Sequence, residues 1–150
     1  MKVRLMNMIM IENPNTKEVV VLDKRIKEGW EGLTFPGGKV ENFESYGESV
    51  IREAKEETDL DIKGIEYVGM ISWIYEKNGL NKDLGLLYKT NNYKGELNPH
   101  NREGELFWKK YDEFKLMKGK SASMNDILTI YDGKYHEIVM DLVHGEIKRY

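Results

Sequence analysis

Apolar residues in this chain fall in short runs punctuated by Asn, Gly and Pro, which is the signature of strands and tight turns, with a few stretches of helical spacing between them. Residues 3–12 are rich in Val, Leu, Met and Ile and stop at Asn13-Pro14-Asn15, predicting a strand and a turn. Residues 18–25, centred on Val19-Val20-Val21-Leu22, predict the returning arm of a hairpin. Gly29 and Gly32 flank Trp30-Glu31 in a loop that passes through Leu33-Thr34-Phe35 into a Pro36-Gly37-Gly38 turn. Ser45 with Glu48 three residues on is a capping box, so a helix starts there and should end near Thr58. Tyr46, Val50 and Ala54, with Ile51 at the edge, form its apolar stripe.

Residues 62–75 predict a strand with a bulge at Gly69, and Asn78-Gly79 predicts a hairpin turn. Residues 84–90 and 105–110 supply further strands. Residues 112–117 and 123–131 predict two short helices, the second ending at Asp132-Gly133, and residues 135–143 a last strand. Neither an internal repeat nor a low-complexity linker interrupts this order. The expectation is one α+β domain over residues 1–150, a mixed sheet sandwiched between the capped helix and a helix on the other face.

Composition narrows the partners. A net charge of −3 disfavours stable nucleic-acid binding and attraction to anionic membranes. The apolar N-terminal stretch is short and interrupted by Asn7, so it reads as a strand and not as a leader or a membrane span. Cysteine is absent, which removes disulfides and thiolate chemistry and suits a reducing cytoplasm. Frequent Lys, Asn, Glu and Ile fit an AT-rich bacterial genome.

The chemistry concentrates in Arg52-Glu53-Ala54-Lys55-Glu56-Glu57. On a helix Glu53, Glu56 and Glu57 fall within an arc of roughly 100°. Like charges at that spacing weaken a helix, and an oxygen-seeking divalent cation would turn the liability into a binding site. A solvated face of mixed charge is the plain alternative, but it leaves the capping box and the Pro-Gly-Gly sequence unexplained.

The segment from Gly38 to Leu60 resembles the Nudix box, Gly-x5-Glu-x7-Arg-Glu-U-x-Glu-Glu-x-Gly-U with U a bulky aliphatic. Gly38, Glu44, Arg52, Glu53, Glu56, Glu57 and Leu60 fall in register with it. Ala54 is smaller than the usual aliphatic. Asp59 stands where the family has a Gly of positive φ, a conformation that Asp tolerates. The resemblance implies a Nudix fold whose catalytic helix follows a Gly-Gly loop, and a Mg²⁺-dependent, or Mn²⁺-dependent, hydrolase of nucleoside diphosphate-X compounds. It implies Glu53 and Glu57 as main metal ligands with Glu56 assisting, a Gly37 or Gly38 carbonyl nearby, Arg52 orienting a carboxylate, and Glu44 supporting the metal's surroundings.

The resemblance also makes Glu103, ahead of Phe107-Trp108, the favoured extra ligand or general base over Glu105. Phe35 and Asn125 resemble positions that contact the purine in MutT-like 8-oxo-dGTP diphosphatases, with Lys39 and Arg25 as companion substrate-binding residues. Core packing is the preferred reading of Phe35, and a helix start accounts equally for Asn125. Trp30 either walls a base pocket or covers its loop. His100, His136 and His144 are isolated and read as surface residues. The expected partner is a small nucleotide, and a homodimer is compatible with the sequence. A nucleoside triphosphate such as 8-oxo-dGTP, cut to monophosphate and pyrophosphate, is the leading expectation. Nucleotide sugars, ADP-ribose, dinucleotides and RNA 5′ ends are alternatives, and a non-catalytic nucleotide-sensing module is the alternative of another class.

Overall fold

The structure is a computed structural model that describes residues 1–25 and 30–150, so Gly29 of the expected loop lies outside the described residues. The chain folds as β1 (Lys2–Asn13), β2 (Glu18–Lys24), β3 (Gly32–Thr34), β4 (Gly37–Lys39), α1 (Tyr46–Thr58), β5 (Asp61–Lys63), β6 (Glu66–Glu76), β7 (Leu80–Thr90), β8 (Asn92–Lys94), β9 (His100–Asn101), β10 (Gly104–Lys110), α2 (Tyr111–Leu116), α3 (Met124–Tyr131), β11 (Glu137–Asp141) and β12 (Glu146–Arg149). Among the described residues one mixed sheet runs β12-β11-β6-β7-β1-β2-β10-β9, with β4 added to β1 and β3 to β2. β1 pairs in parallel with β7 and β6 in parallel with β11, and the remaining pairs are antiparallel.

Strand alternation divides the interior into two layers. Ile9, Ile11, Val20 and Leu22 point one way and pack with Val50 and Ala54 of α1, Leu60, Ile62 and Leu106. Met10, Val19 and Val21 point the other way into a core with Phe35, Ile71, Trp73, Phe114, Met124 and Ile127, so α2 and α3 cover that side. The expected sandwich is present.

Several local expectations change. The predicted strand over residues 62–75 is two strands, broken at Gly64 with φ 59°, while the bulge falls as expected between Tyr67 and Gly69. Gly37 and Gly38 are not a turn but a short strand lying antiparallel to Met8 and Asn7. The last strand is shorter than predicted and is followed by β12, whose four exposed residues are polar apart from Ile147 and too few to show an alternation. On α1, Tyr46 and Ile51 are exposed, and the buried positions are Ser49, Val50, Ala54 and Thr58. Ser49 is held inward by the Asn7 amide, and Thr58 by its bonds to the Ala54 carbonyl and the Leu60 amide.

Candidate active site

α1 is fixed at both ends. The Ser45 hydroxyl accepts from the Glu48 amide at 3.0 Å, and the Glu48 carboxylate accepts from the Ser45 amide at 3.1 Å, completing the capping box. At the other end Asp59 adopts φ 66°, and its N–H bonds to the Lys55 carbonyl. Asp therefore supplies the left-handed cap that usually calls for Gly.

The glycines beside the helix are required by close approach. A Cβ on Gly37 would strike the Asn7 carbonyl, and one on Gly38 would land on the Glu53 carboxylate. Asn7 is itself clamped to α1, its amide donating to the Ser49 hydroxyl at 2.8 Å, while its side-chain oxygen is buried without a partner. β4 thus brings bare backbone against the acidic face of α1.

Arg52 gathers the first group of carboxylates. Its Nε and Nη2 donate to both Glu44 oxygens at 2.9 and 2.6 Å, and its Nη1 donates to Glu53 at 2.9 Å and Glu56 at 3.1 Å. A further Nη2 bond, at 2.9 Å to the Lys39 carbonyl, ties the guanidinium to β4. The double bond from Arg52, aided by the Glu41 amide, pulls the Glu44 carboxyl down to about 2. Burial pushes Glu53 the opposite way, against the stabilising effect of Arg52.

Glu57 stands differently. Burial, followed by the adjacent charges of Glu103 and Glu53, pushes its carboxyl up to about 8. One buried oxygen of Glu57 and one of Glu103 have no hydrogen-bond partner. Among the described residues the cation paired with them is Lys24, 3.8 Å from Glu103, at the edge of ion-pair distance. Asn101 holds this pair together. Its amide donates to the Glu57 carbonyl at 3.0 Å, and its side-chain oxygen accepts from the Glu103 and Gly104 amides at 2.8 and 3.1 Å. Sequence reading missed both Lys24 and Asn101. An Asn two residues before a candidate acid is a turn signal that could have flagged the second.

Glu103, favoured over Glu105, is the one brought to Glu57. Glu105 is exposed in β10, opposite Asp23 and His100. Phe35 is 2% exposed and packs edge-on to Tyr131, with ring centroids 5.2 Å apart, and against Phe114, so its ring is accounted for by the core. Asn125 is exposed in the first turn of α3, away from the carboxylates. Lys39 is exposed in β4 and faces the side opposite Gly38 and Glu53. Arg25 is exposed and pairs with Asp23 at 2.6 Å, while its amide bonds to the Glu103 carbonyl at 2.9 Å. Trp30 meets Trp73 edge to face at 5.2 Å.

The donor set fits a hard divalent cation. It offers carboxylate oxygens, two of them buried and unpartnered, around bare glycine backbone, and the upward push on the Glu57 carboxyl from burial and its acidic neighbours is one that a cation would reverse. Among the described residues no three carboxylates already surround one point, because Glu53 and Glu56 lean on Arg52 and Glu57 leans on Glu103.

Comparison with known proteins bears on this geometry. The NUDIX domain family model matches residues 2–128. The uncharacterized Nudix hydrolase YvcI of Bacillus subtilis is 30% identical over 95 residues, covering 62% of this chain and 59% of the relative, so the alignment spans about three fifths of that protein. YtkD of the same organism, named as a candidate 8-oxo-dGTP diphosphatase, is 50% identical over 38 residues, 25% of this chain and 24% of that protein. Among solved structures the MutT protein of Bacillus halodurans superposes with a TM-score of 0.74 at 25% identity, covering 96% of this chain and 94% of that one. Among the described residues no helix is long and apolar enough to cross a membrane.

Proposed function

The chain belongs to the NUDIX domain family, and from that premise we propose that it is a divalent-cation-dependent hydrolase of MutT-like type that cuts a phosphoric anhydride in nucleoside diphosphate-X compounds. The leading substrate class is a nucleoside triphosphate, released as monophosphate and pyrophosphate. The observation that carries this reading is the Glu57–Glu103 pair: two carboxylates side by side, each with a buried unpartnered oxygen, whose one ion pair among the described residues is the long contact of Glu103 with Lys24. A fold built only for stability has no use for such a pair, whose burial costs free energy until something positive arrives.

Glu53, Glu56 and Glu57 would hold the cation, with Glu103 beside them and the Gly37-Gly38 backbone open to the phosphates. A bound Mg²⁺ or Mn²⁺ supplies charge neutralisation on the phosphate oxygens and makes water a better nucleophile at neutral pH. Arg52 keeps Glu44 ionised, orients Glu53 and opposes the upward push of burial on it. Glu103, held at its amide by Asn101, is positioned to take a proton at the end of α1 that faces β10.

For the base, the support is narrower. The short stretch of identity to YtkD favours an oxidised purine nucleotide, and the exposed Asn125 amide can both donate to and accept from a base edge. Buried Phe35 would shape the wall from behind rather than touch the ligand. A panel of 8-oxo-dGTP, dGTP, ADP-ribose, a nucleotide sugar, a dinucleoside polyphosphate and a 5′-triphosphorylated RNA, with phosphate or pyrophosphate release read after adding Mg²⁺ or Mn²⁺, tests the reading. Turnover of a triphosphate to pyrophosphate is expected. Tight nucleotide binding with no turnover of any member would instead make the protein a sensing module.

A further inference from the structure

A polar pair interrupts the seam between α1 and the sheet, which is otherwise apolar. Val50 and Ala54 of the helix pack there with Ile9, Ile11, Val20 and Leu22, all buried. Asn7 of β1 is 5% exposed and Ser49 of α1 is fully buried. The Asn7 amide donates to the Ser49 hydroxyl at 2.8 Å, a bond between residues 42 apart in the chain. Ser49 donates its own proton to the Tyr46 carbonyl at 2.6 Å, so toward Asn7 it can only accept. The network therefore turns the Asn7 nitrogen to Ser49, and Oδ1 is the atom left buried without a partner.

Stability does not account for this pair. An amide buried with an orphaned acceptor opposes folding, and two apolar side chains in its place would be as stable or more so. A buried hydrogen bond does what apolar contacts cannot, because it is satisfied at one setting of the two elements while apolar surfaces tolerate sliding. The strand pairing shows what is being set. Asn7 lies opposite Gly38, and Met6 opposite Lys39. Ser49 lies one turn before Glu53, whose carboxylate occupies the space that a Gly38 Cβ would take. α1 is thus tied to two adjacent rows, by Asn7 to Ser49 in one and by Arg52 to the Lys39 carbonyl, at 2.9 Å, in the other. A slip of one residue moves a helix about 1.5 Å and turns it about 100°. Even a fraction of that step exceeds the roughly 0.5 Å within which a working site must hold its groups.

We propose that Asn7 is a positioning residue of the cation site: with Ser49 it sets the height of α1 over β4, and so the place of the Glu53 carboxylate beside the Gly37-Gly38 backbone. The inference rests on the reading of the carboxylates as cation ligands. Asn7 acts through Glu53 and not by contact with the substrate, so its effect belongs to cation binding before it belongs to turnover.

Titration of the full chain with Mn²⁺, followed by electron paramagnetic resonance, together with Tm in EDTA, separates this role from plain packing. Asn7→Val suits a strand, removes the orphaned oxygen and leaves Ser49 its bond to Tyr46. Its Tm in EDTA should hold or rise, while the Mn²⁺ dissociation constant rises roughly tenfold, as when an outer partner of a metal ligand is lost. Ser49→Ala leaves both ends of the Asn7 amide unpaired, so Tm should fall with a similar loss of Mn²⁺ affinity. The two changes together should recover Tm yet bind Mn²⁺ no worse than either alone, because both break the same tie. A merely structural residue does not give opposite signs for Tm and affinity in Asn7→Val. Unchanged Mn²⁺ affinity in Asn7→Val, or losses that follow Tm through all three variants, overturn the proposal and leave the cation reading standing. An unaltered chain that binds no Mn²⁺ overturns the cation reading, and the proposal with it.

Discussion

Glu53 and Glu57 lie one helical turn apart on α1 and occupy opposite electrostatic situations. Glu53 shares Arg52 with Glu44 and Glu56, in a fan of charge-assisted bonds of 2.6–3.1 Å. Glu57 turns toward Glu103, and among the described residues the cation paired there is Lys24, 3.8 Å from Glu103. The first group is a latch that fastens α1 to the Glu44 loop and β4, and it is complete without any ligand. The second is incomplete, and its burial opposes folding unless a cation is bound. A motif uniform in charge is thus two physically distinct devices, divided by where a single guanidinium reaches.

Glu57→Gln breaks the incomplete half and should have the largest effect. Turnover of whichever substrate the panel identifies should fall more than about a hundredfold, the scale on which a positioned acid–base or ligand group contributes. The metal-free fold should gain from the same change. Glu57 titrates at about 8 in the folded chain against an ordinary 4.5, so the folded state holds an extra proton between those values. Stability is therefore full below roughly pH 4.5 and falls as pH rises toward 8. Glu44, lowered to about 2, contributes in the opposite sense, and its contribution is lost only as pH falls below the ordinary carboxylate range. Calorimetry in EDTA from pH 5 to 8 should show Tm declining for the unaltered chain and nearly level for Glu57→Gln. Parallel curves would show that Glu57 is not the group held protonated.

Arg52→Gln breaks the complete half. It leaves Glu44, Glu53 and Glu56 repelling one another, so Tm should fall where Glu57→Gln raises it at pH 8. Turnover should drop roughly 10–100-fold, as when an outer partner of metal-binding groups is removed. Added salt should restore part of the lost stability by screening. A rise in Tm would mean that the arginine is no latch.

Much of this division was out of reach of the sequence. The helix, its Ser45 cap and the arc of acids were legible because capping and helical spacing are local rules. The left-handed Asp59 was legible through the family resemblance, which places a Gly of positive φ at that position. That Gly37-Gly38 is a strand was not, since it depends on Asn7 and Glu53 arriving from distant parts of the chain to occupy the space of a Cβ. Tyr46 was misplaced because apolar periodicity does not register the bonds to Asn7, Ala54 and Leu60 that bury Ser49 and Thr58 instead. Glu103 could be named from its spacing to Trp108, yet its link to Glu57 runs through Asn101, a contact made across 44 residues.

That link yields a milder test of the incomplete half. Asn101→Ala removes the bond to the Glu57 carbonyl and frees the Glu103 and Gly104 amides, a loss of about 1–3 kcal/mol where such groups stay buried. Because Asn101 positions Glu103 without touching the substrate, kcat should fall roughly tenfold with KM nearly unchanged. Asn101→Asp retains the acceptor and should recover part of the loss. A change confined to KM would place Asn101 in substrate binding instead.

Asp59→Gly, which installs the residue usual at that position, should have the smallest effect and locates the boundary of the incomplete half. The left-handed conformation at φ 66° costs a non-glycine residue about 1 kcal/mol, and glycine removes that cost while adding freedom to the unfolded chain. The substitution also loses the Lys55–Asp59 pair at 3.2 Å, whose half-exposed groups are screened by solvent. These contributions nearly cancel, so the net change in stability should stay within about 1 kcal/mol of zero. Thr58 independently holds the helix end, its hydroxyl donating to the Ala54 carbonyl and accepting from the Leu60 amide. The Asp59 side chain faces Lys55, away from Glu103, so kcat and the pH dependence of Tm should both match the unaltered chain. If Asp59→Gly shifted the pH profile, the cap would be coupled to Glu57, and the two halves would meet at the end of the helix rather than at Arg52.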